Sequence, residues 1–217
     1  MSSNKQNIIK YISLLKTYPN LFRDNPNMHI ILNENELLEY SEKHKCELGI
    51  VYENDFYRVI ADLISDQAGR KYVYTRVLHT AETNGVVIVP LFHNKFVLLK
   101  QFRHGTRVYE YEFPRGFGEV GYSPEENAIK ELLEELSGSV RSCEYLGQIV
   151  SDTGMTGGVV DVFAAELDSI GKPEVAEGIE DYLILTQEEI DAMILSSSIR
   201  DTFTLSAYLK YLRRKEK

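Results

Sequence analysis

The chain has 217 residues, enough for one domain with a full core plus an extension. Its hydrophobic share of 43% and charged share of 26% exclude disorder on the scale of the whole chain. With 33 Asp+Glu against 24 Lys+Arg the formal net charge is −9. Nucleic-acid coats and polybasic membrane binders are basic, so neither a nucleic-acid nor a membrane partner is expected. An acidic protein that handles phosphates needs cations to bring the two anions together. The cysteines are Cys46 and Cys143 alone, with no zinc-type Cys/His spacing. That rules out a disulfide framework and makes a reducing cytoplasm the expected location. The N-terminus has no signal-peptide core, and the longest apolar stretch, 86–92, is broken by Pro90 and far too short to span a bilayer.

In chain order, Ile8, Ile9, Ile12 and Leu15 predict an amphipathic helix that stops before Pro19. The Asn/Pro-rich stretch 19–27 reads as a loop, and 34–44 as a second short helix. From residue 47 the pattern turns to strands, at 48–52, 57–64 and 71–78, separated by turn residues. Strands at 86–91 and 96–102 follow, joined by His93, Asn94 and Lys95, and another at 109–113 ends at Pro114. After one clear helix come strands at 143–150, 159–167 and 182–185. A helix opens at Thr186 with Glu189 completing a capping box. A last helix begins near Asp201 and closes on Arg213, Arg214 and Lys215, which suits the helix dipole. Residues 1–80 are expected to form a helical and strand extension that builds a homodimer, and 81–217 the main domain.

The clear helix carries the chemistry. Ser123 is a good N-cap, Pro124 suits the first turn and Glu126 completes a capping box; Ser137 and Gly138 stop the helix near Leu136. At about 100° per residue, Ile129, Leu132, Leu133 and Leu136 share one arc. They predict a buried face. Glu131, Glu134 and Glu135 fall on the opposite arc, where three carboxylates can converge on a hard cation. Upstream, Gly116, Gly118 and Gly121 let backbone approach the same place.

Gly116, Glu131, Leu132, Glu134 and Glu135 stand where the Nudix box G-x5-E-x7-R-E-U-x-E-E-x-G-U has its first Gly, its central Glu and aliphatic residue, and its paired Glu. Tyr122, Lys130 and Ser137 stand in place of its first Glu, its Arg and its last Gly. The strand pair ending in Gln101-Phe102-Arg103, the run Glu112-Phe113-Pro114-Arg115-Gly116 and the segment Ile199-Arg200-Asp201-Thr202 resemble corresponding stretches of ADP-ribose pyrophosphatases. The chain therefore resembles the Nudix hydrolases, the ADP-ribose pyrophosphatase-like branch in particular. Asp152-Thr153-Gly154 and Gly158 occupy the place of that branch's Ser-Pro-Gly…Glu segment.

The resemblance implies an α/β (α+β) fold: a Nudix-type α/β/α sandwich with a mixed sheet. It implies a metal-dependent hydrolase that cleaves the pyrophosphate of a nucleoside diphosphate derivative, ADP-ribose or a nucleotide sugar. A Nudix-fold nucleotide-binding or regulatory protein with little catalysis is the alternative. The cofactor implied is Mg2+, with Mn2+ a substitute, held by Glu131, Glu134, Glu135 and the Arg115 carbonyl. Arg103 is the expected phosphate clamp, and Glu112 a contact to substrate or metal. The catalytic residues implied are Glu134, at the metal, and a general base in the acidic loop beyond the box, with Glu177 the first choice and Glu180 the second.

Overall fold

A computed structural model describes residues 3–81, 83–173 and 178–215. The chain divides into two compact units: Met1–Thr80 with Asp152–Gly157, and Ala81–Ser151 with Gly158–Lys217.

In the first unit, helix α1 (Ser3–Thr17) is followed by a 3-10 turn at Pro19–Phe22, inside the stretch expected as loop. Next come strand β1 (His29–Ile30), helix α2 (Glu34–His44) and strands β2 (Gly49–Glu53), β3 (Tyr57–Ser65) and β4 (Lys71–His79). Strand β3 is central; β4 runs along one side of it, and β2 and β1 pair with different parts of it on the other. The turns form where short polar side chains take over backbone donors. Asn54 Oδ1 accepts from the amides of Phe56 and Tyr57 at 2.9 and 2.7 Å, and Asp66 Oδ1 from those of Ala68 and Arg70. The core holds Ile8, Tyr11, Leu37, Leu48, Ile60 and Leu63. Helix α1 lies so close to β2 that a Cβ on Gly49 would be 2.5 Å from the Asn7 carbonyl oxygen. A charged cluster sits within this unit: Asp62 accepts from the Tyr11 hydroxyl at 2.5 Å and from Arg76 Nε and Nη2 at 2.5 and 2.9 Å, while Arg76 Nη1 donates to the Leu21 carbonyl at 2.9 Å.

The second unit runs β5 (Gly85–Phe92), β6 (Lys95–Arg103), β7 (Val108–Glu112), β8 (Arg115–Gly116), α3 (Pro124–Leu136), β9 (Ser139–Ile149), β10 (Val160–Ser169), β11 (Ile179–Leu185), α4 (Gln187–Leu195) and α5 (Thr202–Lys215). The sheet order is β11-β6-β5-β10-β9, with β7 on β6 and β8 on β5. It is mixed: β5 and β10 are parallel and the other pairs antiparallel. The period-2 alternation of β5 sorts its side chains between two cores. Val87, Val89 and Leu91 join α4 and α5 residues such as Ile190, Ala207 and Tyr208 on one face. Val86 and Ile88 join Ala128, Leu132 and Leu136 of α3 on the other. This is the expected α/β/α sandwich.

A split in the sheet prepares the site. Strands β5 and β6 pair only beside their tight turn, Leu91 with Phe96 and Phe92 with Lys95, then separate. His93 and Asn94 hold that turn at φ of 51° and 61°, the left-handed pair that a two-residue hairpin requires. Strand β7 pairs with β6, and β8 with β5. The segment between them crosses the gap, with the Ile88 amide donating to the Pro114 carbonyl at 2.9 Å. Glu112, Arg115 and Gly116 are thereby set between the two separated strands.

Candidate active site

Helix α3 starts as its sequence dictates. The Ser123 side chain accepts from the Glu126 amide and the Glu126 carboxylate accepts from the Ser123 amide at 2.8 Å. The hydrogen bond from the Ser123 amide, then that from its side chain, lowers the Glu126 carboxyl from its ordinary value. The facing of the helix differs from expectation. Asn127, Ala128, Glu131, Leu132, Glu135 and Leu136 are buried, whereas Ile129 and Leu133 are 38% and 61% exposed. The inward face is thus rotated toward the acidic side of the wheel. The reason is tertiary: α3 packs against β5, β8, β9 and β10, and the crossing segment meets it on the Glu131–Glu135 side.

Glu131 and Glu135 are consequently drawn in. The Glu131 carboxylate rests on Gly116, where any Cβ would overlap it. A side chain at that position would have to push the Glu131 carboxylate, the mobile end of its side chain, out of this seat. The Arg115 amide donates to Glu135 Oε2 at 3.2 Å. Glu134 points elsewhere: Lys130 Nζ lies 2.8 Å from Glu134 Oε2 and 2.8 Å from Glu119 Oε1. The hydrogen bond to Glu119, then that to Glu134, raises the Lys130 pKa well above the usual ammonium range. The three glutamates expected to converge therefore stand as a buried pair and an outward third. Among the described residues no group of three or more His, Cys, Asp and Glu side chains is placed to hold a metal ion. The buried pair and the backbone cradle of Gly116 do fit a hard, oxygen-seeking cation.

Beside them, Glu112 is 2% exposed and takes two guanidinium groups. Arg103 Nε and Nη2 donate to its Oε2 at 2.8 and 2.5 Å, and Arg115 Nη2 lies 3.2 Å from the same oxygen. Arg115 also lies over the Phe203 ring at 4.5 Å and 3.8 Å from Asp201 Oδ1. Asp201 caps α5 through the Thr204 amide at 2.8 Å. The expected phosphate clamp Arg103 is thus paired within the protein, next to the buried glutamates' backbone support. Glu180 is on β11, its Oε2 2.5 Å from Lys100 Nζ. Glu177 lies outside the described residues. Sequence reasoning did not find Glu119 as the partner of Lys130; the signal available was an acid inside the glycine-rich loop.

The comparisons agree with this architecture. The NUDIX domain profile matches residues 82–201, more than half of the chain, and the chain belongs to that family. The chain is 30% identical over 126 residues to the ADP-ribose pyrophosphatase of Bacillus subtilis (strain 168), covering 56% of this chain and 67% of that one. It is 28% identical over 135 residues to the methanol dehydrogenase activator of Bacillus methanolicus, covering 60% of this chain and 71% of that one. A crystal structure of an ADP compounds hydrolase shares the fold at TM-score 0.63 and 21% identity, over 76% of this chain and 89% of that one. The protein is a Nudix pyrophosphohydrolase, similar to the ADP-ribose pyrophosphatases.

Proposed function

We propose that this protein hydrolyses the pyrophosphate of a nucleoside diphosphate derivative in a Mg2+-dependent reaction, with ADP-ribose the leading substrate and Mn2+ able to substitute. The observation that carries the reading is the pair of buried glutamates, Glu131 and Glu135, held against the Arg115–Gly116 backbone. Buried carboxylates are costly to desolvate, and a cation site gives them a use. The pair, the Arg115 carbonyl and Glu134 once released from Lys130 would hold the metal. Bound there, Mg2+ would neutralise the diphosphate and lower the pKa of the attacking water. Arg103 exchanges the Glu112 carboxylate for a substrate phosphate, a bidentate partner its planar guanidinium also suits. Glu112 retains Arg115 and keeps that segment in place. A carboxylate from the acidic stretch beyond the box accepts the water's proton as the water oxygen bonds to phosphorus and the bridging P–O bond breaks, releasing a monophosphate. Glu177 is the first choice for this role, because Glu180 is paired with Lys100.

The relative from Bacillus subtilis is named for ADP-ribose, which supports the substrate assignment. We also assign the protein to the cytoplasm and to a homodimer built partly by residues 1–80. The test is monophosphate release from ADP-ribose, nucleotide sugars and nucleoside triphosphates, each with Mg2+ and with EDTA. ADP-ribose should be the best substrate and EDTA should abolish turnover. Nucleotide binding without cleavage of any compound would overturn the proposal.

A further inference from the structure

Asp161 is a buried carboxylate that the reaction as described does not use. It lies on β10, opposite Val86 of β5 and Gln148 of β9, and is 4% exposed. Its Oδ2 accepts from Asn84 Nδ2 at 3.0 Å, and its Oδ1 from the Tyr145 hydroxyl at 3.1 Å and from Gln148 Nε2 at 3.0 Å. All three donors are neutral. Burying a charge on neutral donors alone is costly, so its placement asks for a reason.

The reason lies one residue beyond Asn84. Segment 83–85 is pressed against the glycine-rich loop that leads into α3. A Cβ on Gly85 would be 2.9 Å from the Gly116 carbonyl oxygen, and one on Gly118 would be 2.5 Å from the Asn84 carbonyl oxygen and closer still to Thr83. From the other side the Glu131 carboxylate rests on Gly116, and Asn127 Nδ2 donates to the Phe117 carbonyl at 2.8 Å. Residues 116–118 are therefore clamped between segment 83–85 and helix α3. Asp161 anchors the outer jaw of that clamp through Asn84. Its side of β10 also carries Phe163 and Ala165, which pack with α3.

We infer that Asp161 is a positioning residue for the carboxylate pair: by holding Asn84 it fixes the depth of Gly116 and so the position of Glu131. This rests on the reading of Glu131 as a metal ligand. Contacts made directly to a metal ligand change metal affinity by about 10–100-fold when broken; Asp161 acts one step further out, and the lower end of that range is expected of it.

The test uses the full chain and Mn2+ alone as probe, with binding read by the electron paramagnetic resonance of free Mn2+, and kcat and KM measured separately. Asn84→Asp sets a second carboxylate against Asp161, and the two repel. Mn2+ affinity should fall at least about tenfold, and kcat should fall with it. Combining Asn84→Asp with Asp161→Asn restores one carboxylate and one amide, and the amide oxygen at position 161 still accepts from Tyr145 and Gln148. That double variant should regain affinity and kcat to within about threefold of the parent. A merely structural role would move thermal stability and leave Mn2+ affinity alone. If Asn84→Asp does not fold, Asn84→Ala, which removes the donor without adding charge, should weaken Mn2+ binding in the same direction. Glu131→Gln is the reference. If it weakens Mn2+ binding while the folded Asn84 variants bind like the parent, or while the folded double variant stays weak, the positioning role is overturned. If Glu131→Gln binds Mn2+ like the parent, the metal-ligand reading itself falls.

Discussion

Glu131 and Glu135 sit four residues apart on one helix and are both buried. In water such a like-charge pair costs a few tenths of a kcal/mol, and burial raises the repulsion because the effective dielectric constant drops. Glu135→Gln keeps shape and an oxygen that accepts from the Arg115 amide, so the fold should survive with unchanged or slightly higher stability. Turnover should drop by about a hundredfold or more, the scale expected when charge stabilisation of a transition state is lost. Steady-state kinetics beside a thermal melt checks both halves. Glu126→Gln is the contrast. Its carboxylate serves the helix cap, so that variant should lose a little stability and keep its kcat.

At the scale of the element, α3 shows how one side of a helix is chosen by its surroundings. Leu132 is fully buried whereas Leu133 is 61% exposed. Leu132→Ala should cost about 2–5 kcal/mol, through lost transfer energy and a cavity. Leu133→Ala should stay within about 0.5 kcal/mol of the parent. Chemical denaturation resolves a difference of that size, and equal losses would mean the helix is rotated as its leucines alone predict.

A second element-scale prediction concerns β7 and the start of α5. Arg200 donates to Glu110 at 2.8 and 3.1 Å, and that hydrogen bond is the chief reason the Glu110 carboxyl lies below its ordinary 4.5. A depressed carboxyl contributes its stability in full above the unfolded value and loses it as pH falls through the folded one. The parent's melting midpoint should therefore decline below about pH 4.5 more steeply than that of Glu110→Gln. Parallel pH profiles would show that the pair contributes nothing to acid stability.

For the molecule as a whole, the first unit is tied together by charge as well as by apolar packing. Asp62 is 1% exposed and joins Tyr11 of α1 to Arg76 of β4. Arg76→Met leaves that carboxylate without its guanidinium and should destabilise by about 3–5 kcal/mol. Tyr11→Phe removes one hydrogen bond and should cost about 1–2 kcal/mol. The proposed dimer belongs to this scale too. Light scattering at micromolar concentration should give twice the mass of the chain, and a monomer would remove the role we assign to residues 1–80.

The sequence by itself determined the order of the longer helices and strands, because hydrophobic period, capping residues and turn residues act over a few neighbours. The helix at 34–44 and the capping boxes at Ser123 and Thr186 are where local chemistry placed them. The spacing of Gly116, Glu131, Glu134 and Glu135 also pointed to the family that the comparisons show. Only the tertiary structure decided what those residues face. The two-residue strands β1 and β8 exist through pairing with distant segments and have no pattern of their own. The inward turn of Glu131 and Glu135 and the anchoring of Asn84 by Asp161 are likewise set by contacts between distant segments, whereas the outward turn of Glu134 to Lys130 is an i,i+4 contact within the helix. A helical wheel fixes which side chains share an arc. Which arc is buried depends on the sheet and the crossing segment packed against it.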